Sequence, residues 1–182
     1  MNRMTREMAK SMPSRKHHRD YEYPSSPIDR DLEAKQLRKR IIESFAGVTL
    51  GAGIGLWEAQ AIDDRENDEV RLACRRRDET EDWSKLRLDT LQRCNSSPSF
   101  LDAEGFRFHL PAFMLSELEG RYGFAFFLSL IHNETLEFGR FELLDRVQRT
   151  IVRDYLIFIS TDPDNAYFRD DIMDALNNYW TE

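Results

Sequence analysis

Four side chains able to do chemistry fall within one short stretch: Asp102, Glu104, Arg107 and His109. A carboxylate beside an imidazole is the minimum equipment for general acid–base catalysis, or one half of a metal site. They lie in Ser99-Phe-Leu-Asp-Ala-Glu-Gly-Phe-Arg-Phe-His-Leu-Pro-Ala-Phe-Met114, among large apolar side chains. Phe106, Phe108 and Leu110 alternate with Arg107 and His109, a period of two that predicts a short strand or extended segment. In that conformation Arg107 and His109 share one face, and Phe106 and Phe108 the other. The bland reading is a structural turn of Asp102 and Glu104, closed by Gly105, with Arg107 paired to one of the acids. A metal site would need further ligands, and outside the N-terminal region His132 is the only other histidine. The four residues are therefore a candidate binding cluster, with no catalytic residue, metal ligand or cofactor assigned.

Other motifs yield less. Gly51-Ala-Gly-Ile-Gly55 has the wrong spacing for GxGxxG and lacks the Lys-Ser/Thr of a phosphate loop, so it reads as a tight apolar turn between helices. Gly53 or Gly55 would cap the helix that follows, with Glu58, Asp63 and Asp64 facing water. Asp162-Pro-Asp-Asn fails as a calcium loop, because Tyr167 and Met173 stand where glycine and glutamate are required. Asp162 as N-cap before Pro163 explains the same residues. Cys74 and Cys94 form no CxxC and read as small, reduced core residues. Arg75-Arg76-Arg77 is followed by Asp78, Glu79, Glu81 and Asp82, so its neighbours cancel most of its field. Trp83, Tyr167 and Trp180 lie on or near apolar stripes and are expected to pack inward.

The elements around the cluster read mainly as helices. Ser26-Pro27-Ile28-Asp29 opens one with a cap, a proline and a first-turn acid; Ala34, Leu37, Ile41 and Phe45 form its stripe, and Gly47 stops it. Shorter helices follow over about 56–64 and 68–77, the latter with Val70, Leu72 and Ala73 inward. Trp83, Leu86, Leu91 and Cys94 mark a further amphipathic element. Pro111 starts a helix that Gly120 ends, and Gly123–Ile131 is apolar enough to be buried all round. Leu144, Val147, Ile151, Tyr155 and Phe158 define the clearest helix; Ile172, Ala175, Leu176 and Tyr179 define the last. The fold class is mainly α: a compact single-domain bundle of about seven helices with at most one short β-hairpin.

The chain has 182 residues, with 26 Lys/Arg against 33 Asp/Glu, a formal charge of −7. Residues 1–27 hold six of the basic and three of the acidic groups, leaving 20 and 30 for the remainder, so a +3 tail precedes a −10 body. Residues 1–27 are expected to be a basic, flexible tail and 28–182 a single globular domain. Met4, Met8 and Met12 give the tail a faint helical stripe, compatible with an idle segment, an upstream start codon or a basic arm for an acidic partner or an organelle import receptor. The longest apolar stretches, Gly47–Trp57 and Phe124–Ile131, are too short to span a bilayer. The acidic balance disfavours nucleic acid, and the N-terminus lacks a secretory apolar run. The expectation is a soluble cytoplasmic protein.

Phe45 to Asp63, Trp83, the Phe100–Met114 stretch and Gln148 through Trp180 resemble a bacterial family of domains of unknown function with a central FLDAEGFRFHLPAFM-type motif. The resemblance implies a bacterial, cytosolic, single-domain protein and transfers no functional residue. The functional expectation is a binding or interaction module whose acidic surface meets a basic protein partner. The alternative is a hydrolase or metal-dependent enzyme using Asp102, Glu104, Arg107 and His109.

Overall fold

A computed structural model describes residues 27–132 and 139–181. The tail, including Ser26 and the methionine stripe, lies outside the described residues. Eight α-helices occur among them: α1 (Pro27–Ser44), α2 (Leu56–Asp63), α3 (Asp68–Arg75), α4 (Leu88–Arg93), α5 (Ala103–Leu118), α6 (Leu128–Ile131), α7 (Arg146–Ser160) and α8 (Arg169–Asn178). Short 3₁₀ turns at Trp83–Lys85, Ser97–Phe100 and Pro163–Phe168 link them, and no strand occurs among the described residues. No described helix is long and apolar enough to cross a membrane.

The long helices α1, α5 and α7 form the frame. Leu37 and Ile41 of α1 are buried, as is Phe45 just past its end, and α1 packs on α7 and α5. On α7, Ile151, Val152, Tyr155, Leu156, Phe158 and Ile159 are buried, whereas Val147 lies outside the stripe at 59 % exposure. Asp145 caps α7 through the Gln148 amide N–H, and Gln148 returns its side chain to the Asp145 N–H, a capping box. Ile172, Ala175 and Leu176 pin α8 onto α7 and α6. Aromatic rings fill the space between: Phe113 stacks on Phe126 at 4.6 Å, and Phe141 meets Phe106 at 4.8 Å and Trp180 at 4.9 Å. The buried indoles are satisfied, Trp83 Nε1 donating to the Phe45 carbonyl at 2.7 Å and Trp180 Nε1 to that of Leu130 at 2.8 Å.

The central correction concerns 103–118. The expected extended segment is the first half of α5, and Pro111 lies inside the helix instead of starting it. Proline has no N–H to give the carbonyl four residues back, and it disfavours helical geometry at the residue before it. Such an interruption costs about 3 kcal/mol in a helix interior. Burial offsets it: Phe106, Phe108, Leu110, Phe113 and Met114 are all at most 1 % exposed, and each large apolar side chain contributes about 1.5–3 kcal/mol. A helix this apolar shows little periodicity, so the local alternation of Phe and polar residues imitates a strand.

Smaller corrections follow from packing. Helix α3 has no buried residue, and Leu72 and Ala73 point outward instead of inward. Glu58, expected in water, is buried at 8 % exposure. Cys94 is buried, but Cys74 is only half-buried. Trp83 and Trp180 are buried as expected, whereas Tyr167 is exposed, and so is Phe124 within the apolar 123–131 stretch.

Candidate functional site

The joint between α5 and the glycine loop gathers the four sequence candidates without converging them. Asp102 is the N-cap of α5: its Oδ1 accepts the Gly105 N–H at 2.8 Å and the Ile54 N–H at 3.0 Å. One carboxylate oxygen thus closes the helix and tethers the loop that leads into α2. Gly105 is obligatory for that approach, because a Cβ there would run into the Ile54 carbonyl. Glu104 is exposed, and its stem covers Gly53.

His109 sits one turn further along α5 at 1 % exposure. Its Nδ1 lies 2.7 Å from the Gly105 carbonyl, which can only accept, so Nδ1 carries the proton and donates. Nε2 is left as a buried acceptor with no partner. Burial pushes its pKa down to about 4, against the opposing pull of the Gly105 carbonyl and Asp102. Arg107 points another way, its Nε donating to Gln148 Oε1 at 3.3 Å, while Gln148 Nε2 donates to the Ser44 carbonyl at 3.1 Å. Gln148 therefore joins the ends of α1 and α7, and Arg107 ties α5 to that joint. Asp102 and His109 share Gly105 as hydrogen-bond partner and interact otherwise only through the field of the carboxylate; Glu104 and Arg107 stand apart. His132 is exposed at the end of α6, and no cluster of three or more His, Cys, Asp or Glu suited to a metal occurs among the described residues.

Two half-buried carboxylates are the electrostatic features that sequence reasoning missed. Glu117, on the last turn of α5, accepts the Phe126 N–H at 3.1 Å, the Phe127 N–H at 3.2 Å and the Tyr155 hydroxyl. Burial raises its pKa to about 7, although all three donors oppose the shift. It fixes the 119–127 turn onto α5 and α7. Asp78 caps α2 from a distance, accepting from Trp57 N–H at 2.8 Å and Glu58 N–H at 3.2 Å. Burial lifts it to about 6. Gly55 allows this, since a Cβ at that position would overlap the Asp78 carboxyl group. A glutamate at helical spacing and an aspartate after an arginine run carry no local sign of such long-range partners.

A cleft of about 370 Å³ opens between the C-terminal end of α1, the Trp83–Lys85 turn and α5. Ile42, Trp83, Leu86, Ala112 and Leu115 give it an apolar floor. On its rim Glu119 is held from both sides by Arg38 and Arg121.

The surface away from the cleft is sharply polarised. Along Pro163–Phe168 and α8, Asp164, Tyr167, Asp170, Asp171 and Asp174 are exposed, with Tyr167 at 86 %. None of these four acids pairs with a cation among the described residues. Asp162, by contrast, meets Arg30 at 2.8 Å. Arg169 is the one basic side chain of the 162–178 stretch, and its Nε donates to the Ser160 carbonyl at 3.1 Å. Asp170 and Asp174 stand four residues apart on one helix face, a repulsive spacing.

The fold is a single compact all-α domain, tied together by long-range side-chain caps. The chain belongs to a family of unknown function, DUF6714, whose model matches residues 33–182. No curated protein and no solved structure matches it.

Proposed function

We propose that the protein is an interaction module that offers the Asp164–Asp174 face to a basic protein partner. The observation that supports this is the unpaired set of four carboxylates around one exposed tyrosine ring. The helix dipole favours Asp170 and Asp171 in the first turn of α8, but it does not relieve the repulsion between Asp170 and Asp174, and lysine or arginine from a partner would pair with all four. The Tyr167 ring adds a surface for cation–π contact. Such charge complementarity gives specificity and fast encounter. Free Cys74 and Cys94 suit a reducing compartment such as the cytoplasm.

The same reading gives Asp102, Glu104, Arg107 and His109 a structural part, joining α5 to the glycine loop and to α7. An acid–base role would require the Nε2 lone pair of His109 to meet a substrate, and that atom is enclosed. The test compares capture from cell extract by the wild-type chain and by the D164N/D170N/D171N/D174N variant. The reading expects proteins retained by the wild type at 0.1 M salt, released at 0.5 M and absent from the variant. Identical capture by both chains, or none, would sink it.

A further inference from the structure

Helix α3 is the anomaly on the opposite charge. It has eight residues, among them Val70, Leu72 and Ala73, and buries none of them. Leu72 is 55 % exposed, and Arg76 follows it by four residues, one helical turn away. Beside them the Trp57 ring carries two guanidinium groups, Arg77 at 4.1 Å and Arg93 at 5.7 Å from its centroid. Arg76, Arg77 and Arg93 are exposed, and none forms an ion pair with a described residue.

The neighbouring acids that ought to neutralise this patch are turned elsewhere. Both oxygens of Asp78 serve the N-terminus of α2. Glu79 Oε1 accepts the N–H groups of Glu81 at 3.0 Å and Asp82 at 3.1 Å. Asp82 caps the Trp83–Lys85 turn through the Ser84 N–H and pairs with Lys85 at 3.6 Å. Arg75 is the member of the triplet that is neutralised, with Glu58 at 2.6 Å. On α3 itself Asp68 pairs with Arg71 at 3.6 Å, and Glu69 is exposed. The cancellation expected from sequence order therefore reaches Arg75, and Arg76, Arg77 and Arg93 outnumber Glu69 around Leu72, leaving a net cationic face on a body whose remaining charge is strongly negative.

Those properties match one other surface of the domain: the four unpaired carboxylates and exposed Tyr167 near the C-terminal end of the same chain. We propose that the α3 face of one copy seats the Asp164–Asp174 face of a second copy, arginine against aspartate with Leu72 and Tyr167 between. This rests on the acidic-face reading above and names the partner as the chain itself. Helix α3 packs on α2, whereas α8 packs on α7, α6 and the 163–168 turn, so the two faces belong to different parts of the domain. Contacts between unlike faces either close into a ring or symmetric pair, or grow head to tail. A Debye length of about 10 Å at 0.1 M salt screens the overall like-charge repulsion more than the pairs in contact.

The experiment is light scattering on the full chain with two charge-reversed variants, R76E/R77E and D171R/D174R. The wild type is expected to exceed its 21.5 kDa monomer mass as concentration rises in 0.1 M salt, and to return to it in 0.5 M. Each variant alone should stay at monomer mass: R76E/R77E makes the α3 face negative like its intended partner, and D171R/D174R leaves the Asp164–Asp174 face with two charges of each sign and no net attraction for the α3 face. Mixed in equal amounts, the variants should associate again, since each supplies the face that the other has lost. That recovery also shows that both are folded. A wild type at monomer mass throughout, a variant that still self-associates, or a mixture that does not recover would overturn the proposal. Failure here with loss of capture by the four-asparagine variant would leave the acidic face intact and reject only the second copy as its occupant.

Discussion

Replacing Asp102 by alanine removes one oxygen that satisfies two backbone donors in different segments. Loss of an N-cap costs about 1 kcal/mol. The freed Ile54 N–H, half-buried under α5, adds about 1–2 kcal/mol for a donor left without a partner. The expected destabilisation is thus about 2–3 kcal/mol. Asp102→Asn keeps an acceptor oxygen and forfeits only the charge at the helix terminus, about 0.3–1 kcal/mol. Asn67→Ala is the internal standard, because Asn67 caps α3 through a single exposed bond to Val70 N–H. Urea titration of the three variants, with m-values unchanged, gives the ranking. If D102A costs no more than N67A, or D102N costs as much as D102A, Asp102 is not the joint between α5 and the glycine loop.

Three further outcomes follow from groups wholly or partly withdrawn from water. Glu117, with its pKa raised from 4.5 to about 7 by burial, makes the native state bind a proton that the unfolded chain releases. Stability should fall by about 3 kcal/mol from this group as pH climbs from 4.5 to 7; E117Q should flatten that part of the profile in urea titrations at stepped pH, and an unaltered profile would refute it. His109 acts in the opposite sense: its depressed pKa leaves stability intact above 6.5 and removes about 3 kcal/mol as pH falls to 4. H109F, which also removes the bare Nε2, should resist acid better than the wild type, and equal acid midpoints would contradict the assignment. Gly105→Ala should cost at least about 2 kcal/mol by thermal or urea unfolding, since the carbonyl it meets belongs to a backbone that cannot swing aside; a neutral change would argue against the close approach of α5 to the glycine loop.

The amphipathic helices α1 and α7 were legible because each buries one stripe and wets the other, so periodicity and burial coincide. Capping motifs were legible where the partner is local, as with Asp162 and the Asp164 N–H. The failures share a different cause. Helix α5 is buried almost all round, so its periodicity vanishes and its internal proline reads as a boundary. Glu58 and Asp78 look like solvent-facing acids in sequence; their partners, Arg75 for one and the α2 N-terminus for the other, lie about 20 residues away. The cluster at Asp102–His109 was found as a place, but not as a geometry. Its residues point along separate directions once they are wound on a helix instead of extended.

The most direct test of the interaction surfaces is a dilution series of amide spectra on the isotopically labelled full chain in 0.1 M salt. The account predicts concentration-dependent shifts in two patches, Leu72–Arg77 with Arg93 and Asp164–Asp174, both lost in 0.5 M salt. Shifts confined to the cleft of Ile42, Ala112 and Leu115, or none at any concentration, would contradict it.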